Sequence, residues 1–155
     1  DKNGRRLVGT NVMIMNGMCT GKLPMVFGDS YKITQLLYNL VTNAAKFTTS
    51  GSISLSARED EAGSMLEIDV ADTGKGIHPE ALANIFEPFS QVENKDARSF
   101  QGIGLGLSVA DTIAKAHGGS IRVASKLGEG STFTFRVPCD FERRAGPTHR
   151  SEDGG

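Results

Sequence analysis

No stretch of the 155-residue chain is apolar over the roughly 20 residues that a membrane-spanning helix needs, and its start does not read as a secretory signal. Cysteine is scarce. Cys19 and Cys139 form neither a metal-ligand pair nor a disulfide framework, and they permit a reducing compartment. Neither sign of charge is in excess: 17 Lys and Arg stand against 18 Asp and Glu. A net charge of −1 gives no support to a nucleic-acid partner bound through its phosphate backbone. Tryptophan is absent, while glycine is abundant at 19 residues. The length suits one domain with a real core. An initial Asp1 suggests a fragment or a processed product.

The most informative stretch is QLLYNLVTNAAKFT, residues 35–48. Gln35, Asn39 and Asn43 recur every fourth residue and Lys46 follows one turn on, which places them on one face of a helix. Ile33, Leu37, Leu40, Val41 and Ala44 cover the other side. Two amides and a lysine along one groove suit an anionic ligand, with or without a divalent metal. An amphipathic helix with a solvated polar face is the plainer alternative. Asp29 or Ser30 supplies the cap, and the helix runs to about Phe47.

Before this helix, residues 7–18 contain a strand of uncertain register. After it, Ile53, Leu55 and Ala57 alternate with serines, and Leu66, Ile68 and Val70 alternate with acids, which predicts an antiparallel hairpin. Asp72 shares the parity of Val70, so its carboxylate is aimed at the covered face, either as a strand-end cap or as an acceptor for a ligand. Gly74 and Gly76 follow in a loop whose glycines allow close backbone approach. Pro79 opens a helix expected to reach Ile85, with His78 at the surface. Phe86 and Phe89 are aromatic anchors, and residues 90–101 read as a long mobile segment. Gly102, Gly104 and Gly106 lead into the helical pattern Leu107, Val109, Ala110, Ile113, Ala114, with His117 as a capping or packing residue near Gly118-Gly119. A second hairpin alternates through Ile121 and Val123, then Phe133, Phe135 and Val137. The expected fold class is a two-layer α/β sandwich over residues 1–138, its mixed, mostly antiparallel sheet under helices, with 139–155 as a polar tail or linker.

The ordered set NLVTNAAKFT, DTGKGI, FEPF, GIGLGLSVA and GEGSTFTF resembles the catalytic ATP-binding domain of sensor histidine kinases, within the wider Bergerat-fold ATPase superfamily. The likeness runs from Leu23 to Pro138, and FEPFSQ is most similar to hybrid sensor kinases. It implies ATP and Mg2+ as cofactors, with Asn39, Asn43 and Lys46 as the catalytic group and Asn43 as the magnesium ligand. Asn39 and Lys46 would face the phosphates and Phe47 would lie near the nucleotide. Asp72 would accept from the adenine amino group, and Gly74, Gly76 and Ile77 would pass beside the base. Phe86 and Phe89 would form the base of a lid. Gly102, Gly104, Leu105, Gly106 and Leu107 would shape the lid and its phosphate-facing turn. Thr132 would help hold adenine through a hydroxyl or a water.

The resemblance also implies partners: dimerisation or histidine-phosphotransfer helices of the parent protein, and a downstream response regulator or receiver domain. No nucleic acid and no direct membrane contact are expected. The site would be cytosolic or on the cytoplasmic side, whether or not the parent carries a membrane anchor. Two positions depart from the pattern: Gln101 precedes the glycine run where many hybrid kinases have glycine, and Lys32 stands where arginine is frequent. His78, His117 and His149 all lie outside any phosphoacceptor setting. The alternatives are a Bergerat-type ATPase that drives a conformational change and a nucleotide-binding regulatory module without catalysis.

Overall fold

The computed structural model describes residues 11–17, 23–88 and 106–139. Phe89, residues 90–101, Gly102, Gly104 and Leu105, all singled out above, lie outside them. The chain runs β1 (Asn11–Asn16), α1 (Ser30–Phe47), β2 (Ser50–Glu59), β3 (Met65–Asp72), α2 (Pro79–Leu82), α3 (Gly106–Ala116), β4 (Ser120–Lys126) and β5 (Gly130–Pro138). The strands form one sheet in the order β1-β2-β3-β5-β4. β1 pairs parallel with β2, and the other three pairings are antiparallel. This is the expected mixed, mostly antiparallel sheet packed against helices.

Alternation along the strands sorts the two faces. Ile53, Val70, Phe133, Phe135 and Val137 are buried against α1 and α3, and Leu36, Leu40 and Ala44 meet them from α1 without exposure. Leu36 therefore belongs with the apolar residues anticipated for that helix, while Ile33, Leu37 and Val41 are only partly buried. Asp29 starts α1 by accepting from the N–H groups of Tyr31 and Lys32 at 3.0 and 3.1 Å. His117 joins the two helices. Its Nε2 accepts from the Asp29 N–H at 3.0 Å, so Nδ1 carries the proton and donates to the Ile113 carbonyl at 2.8 Å.

Four details refine the expectations. The strand anticipated within 7–18 is Asn11–Asn16. The helix from Pro79 stops at Leu82, and the chain continues in hydrogen-bonded turns, with Asn84 N donating to Ala81 O and Glu87 N to Asn84 O. His78 is exposed, as expected, and also caps that short helix. Cys139 is buried, bridges to Val26 and donates its N–H to Ser64 O at 2.8 Å. Among the described residues no helix is long and apolar enough to cross a membrane.

Among the described residues no helix covers the outer face of the sheet, which is polar instead. Glu67, nearly buried, pairs with Arg58 at 2.7 Å, Arg122 at 3.0 Å and Arg136 at 2.7 Å. Asp69 pairs with Arg58 and accepts from Thr134 at 2.5 Å. Replacing Glu67 by Ala removes the shared partner of three guanidinium groups on β2, β4 and β5, of which Arg58 keeps Asp69 and Arg136 keeps Asp60. Because those groups are partly exposed, we expect a loss of about 1–2 kcal/mol rather than the larger cost of a buried pair, shrinking as salt is added. Urea unfolding at low and high salt measures it.

Candidate functional site

The site is built where the end of β3 meets the end of α1. Asp72 closes β3 opposite Ile53 and Ser131, on the helix side of the sheet, and is 7% exposed. Its Oδ1 accepts the Gly74 N–H at 2.9 Å, so the cap anticipated from the sequence exists. The cap does not neutralise the group. Burial pushes the Asp72 carboxyl above the ordinary carboxylate range, opposed by the N–H groups of Gly74 and Ser131 and by the Thr48 hydroxyl. Among the described residues no cation acts on it. Thr48, the C-cap of α1, is 2% exposed. Its hydroxyl lies close enough to favour the ionised carboxylate, yet no hydrogen bond of full geometry reaches it.

The glycine loop is pressed against two neighbours, and this explains its composition. A Cβ on Gly74 would collide with the Phe47 carbonyl at the end of α1. Gly76 has φ +70°, and a Cβ there would strike the Lys126 carbonyl. Lys75 N donates to Phe47 O at 3.3 Å, and Gly128 N donates to Lys75 O at 2.7 Å. The glycines thus seat the loop between the helix end and the β4–β5 turn. Ile77 N donates to Ser125 Oγ at 2.8 Å, and Ser125 Oγ lies 2.8 Å from Ser131 Oγ.

The amide face of α1 looks toward α3. Asn39 Nδ2 donates to the Gly106 carbonyl at 3.2 Å, which ties the start of α3 to the middle of α1. Asn43, one turn on, is half-buried, and Lys46 is exposed. Lys75 Nζ sits 4.9 Å from the centre of the Phe47 ring. A cleft of about 360 Å³ opens beside this pair, lined by Lys46, Phe47, Thr49, Ser50, Thr73, Gly74 and Lys75. Ile77 and Leu107 pack partly buried on the core, and Phe86 meets Phe133 edge-on with ring centres 6.4 Å apart.

One expected residue is misplaced. Thr132 pairs with Ala71 and shares the parity of Thr134, so it lies on the outer face of the sheet, away from Asp72. Ser131 occupies the position opposite Asp72. The alternation that buries Phe133 and Phe135 already assigns Ser131 to the inner face, so that signal is present in the sequence. Thr48 is a different case: nothing in its local pattern marks a buried hydroxyl beside a distant carboxylate.

The residues present fit a purine nucleotide with magnesium. A buried carboxylate without a cation among the described residues stands beside a buried hydroxyl, and α1 carries two carboxamides on its polar face. Among the described residues no group of three or more His, Cys, Asp or Glu gathers as a metal site. A hard cation held here would therefore take an Asn43 carbonyl oxygen and complete its shell with phosphate and water oxygens.

Residues 28–140 match the family described as histidine kinase-, DNA gyrase B-, and HSP90-like ATPase. The chain belongs to this family, and its fold is that of sensor histidine kinase catalytic domains. It is 41% identical over 118 residues to hybrid signal transduction histidine kinase B of Dictyostelium discoideum, covering 74% of this chain and 6% of that protein. It is 43% identical over 111 residues to sensor histidine kinase RcsC of Escherichia coli, covering 72% and 12% respectively. Full-length ShkA, solved in complex with AMPPNP, superposes with a TM-score of 0.70 at 35% identity, over 83% of this chain and 26% of that one. The chain thus spans only a small part of the length of the curated relatives it matches.

A carboxyl that holds its proton to higher pH in the folded chain than in the unfolded one makes stability fall as pH rises above the ordinary carboxylate range. Ionised Asp72 therefore costs stability at neutral pH. Asp72→Asn should leave the ligand-free melting temperature unchanged or higher and flatten that pH dependence. It should weaken ADP binding by about 1–3 kcal/mol. Thermal melts across pH together with calorimetric titration of ADP check both halves; a destabilised mutant that binds ADP normally contradicts the assignment.

Proposed function

We propose that this domain binds Mg-ATP and supplies its γ-phosphoryl group to a histidine on dimerisation helices of a larger two-component sensor protein, on the cytoplasmic side. The observation that carries the nucleotide half is the Asp72 carboxylate, buried on the helix side of the sheet with no cation acting on it among the described residues. In this reading Asp72 accepts from the adenine amino group, and Ser131 takes the hydroxyl role first assigned to Thr132. Ile77 and Phe47 flank the base. Asn39, Lys46 and the start of α3 at Gly106 and Leu107 face the phosphates, and Asn43 holds the metal. Magnesium, when bound, neutralises phosphate charge. A response regulator or receiver domain is the downstream partner.

Phosphotransfer is favoured over hydrolysis by the chemistry of α1. Water attack on a γ-phosphate needs a group that orients or deprotonates the water. Asn39 is a carboxamide, which cannot act as a base at neutral pH, and its Nδ2 is already engaged with Gly106. An acceptor imidazole is itself the nucleophile and needs no such base, so positioning and charge neutralisation suffice.

The isolated domain should therefore bind Mg-ATP and release phosphate very slowly, and added dimerisation helices should become an acid-labile phosphoprotein. Rapid turnover indifferent to those helices would assign the domain to the ATPase class instead. Asn43→Ala should weaken Mg-ATP at least tenfold, about 1.4 kcal/mol, with little effect on metal-free nucleotide. Radiolabel transfer run beside phosphate release, and titrations with and without magnesium, give these readings.

A further inference from the structure

Among the described residues the buried hydroxyl of Thr48 makes no hydrogen bond of full geometry, and such groups are rare because each costs desolvation free energy. Its position is fixed on two sides. It is the first residue beyond α1, held by the Lys75 N–H on the preceding carbonyl, and its extended backbone (φ −113°, ψ 106°) turns the chain into β2. Valine fits that backbone and that volume equally well and would remove the unpaired hydroxyl. The fold therefore gives no reason for threonine at this position, whereas the neighbouring carboxylate does. Asp72 has one oxygen committed to the Gly74 N–H, and no cation acts on it among the described residues.

Resting on the nucleotide reading above, we propose that Thr48 is a specificity-determining residue. Its hydroxyl closes onto the Asp72 carboxylate when a purine enters, and together they form an acceptor edge that selects a 6-amino over a 6-oxo base. A hydroxyl that donates to the carboxylate keeps it ionised and fixes its plane. An ionised acceptor attracts an exocyclic amino group and repels a carbonyl oxygen. Thr48 thus acts through Asp72, as a positioning residue, while Asp72 makes the contact. In the ligand-free chain the hydroxyl already lies near enough to the carboxylate to favour its ionised form, but without a hydrogen bond of full geometry.

The test compares the 155-residue chain with Thr48→Val and Thr48→Ser, titrating ADP and inosine diphosphate, which differ at the 6-position. We expect Thr48→Val to melt at the same temperature as the parent or higher. It should bind ADP about tenfold more weakly, with inosine diphosphate little changed, so that the preference for adenine narrows by the same factor. Thr48→Ser should restore the parent preference. The proposal is overturned if Thr48→Val keeps the parent's ADP affinity and preference, or if it weakens both nucleotides equally. It is equally overturned if Thr48→Val fails to fold while Thr48→Ser folds, because the hydroxyl would then be serving the fold. Failure of the parent chain itself to bind ADP would strike the nucleotide reading instead.

Discussion

The contact on which the site depends is the one between the last carbonyl of α1 and the glycine loop. Phe47 O accepts from Lys75 N, and Gly74 passes so near that carbonyl that a side chain cannot be accommodated. The same glycine gives its N–H to Asp72. Helix, loop and strand end are thereby locked at a single point, and the spacing between the carboxamides of α1 and the carboxylate of β3 follows from it. A change that lifted the loop would release the cap on Asp72 and move the floor of the site away from its wall. The other side of the loop is anchored by Gly76 against Lys126 and by Ile77 on Ser125, so the loop is gripped from both directions.

The two faces of the sheet meet the cost of buried polarity in opposite ways. On the outer face every carboxylate has guanidinium partners, and Glu67 has three. On the inner face Asp72 has only N–H groups and hydroxyls beside it and, among the described residues, no cation. One arrangement is complete within the chain, and the other requires an additional donor. Local departures from stability of this kind concentrate where a ligand is meant to supply the missing interaction.

Much of this was legible in the residues. Period-two alternation marked both hairpins and the buried parity of Asp72, and four-residue spacing marked the amide face of α1. What escaped is what depends on tertiary contact. The sequence shows Gly74 and Gly76 as permissive, but only packing shows that they face a helix end and a turn rather than open space. Thr48 looks like one of several small residues ending a helix; its burial arises from a strand 24 residues away. Thr132 and Ser131 are adjacent hydroxyls; the resemblance pointed to Thr132, whereas strand parity puts Ser131, not Thr132, on the face of Asp72. The helix from Pro79 was drawn too long because the apolar pattern continues into turns that partly bury Ile85 and Phe86 without helical geometry.

The single parallel pairing has a consequence for how the domain opens. Among the described residues β1 has one strand neighbour, β2, and Met13, Ile14 and Met15 stay largely exposed on it. Its backbone is therefore among the cheapest to free, and amide exchange there should proceed by local fraying. The inner half of α1, around Leu36 and Leu40, exchanges only when the whole core is lost. β1 and α1 are consecutive in the chain, so the outermost strand and the deepest helix sit at opposite ends of the stability range although few residues separate them. Tension or release arriving at β1 can loosen that edge while the helix that carries the site keeps its seat.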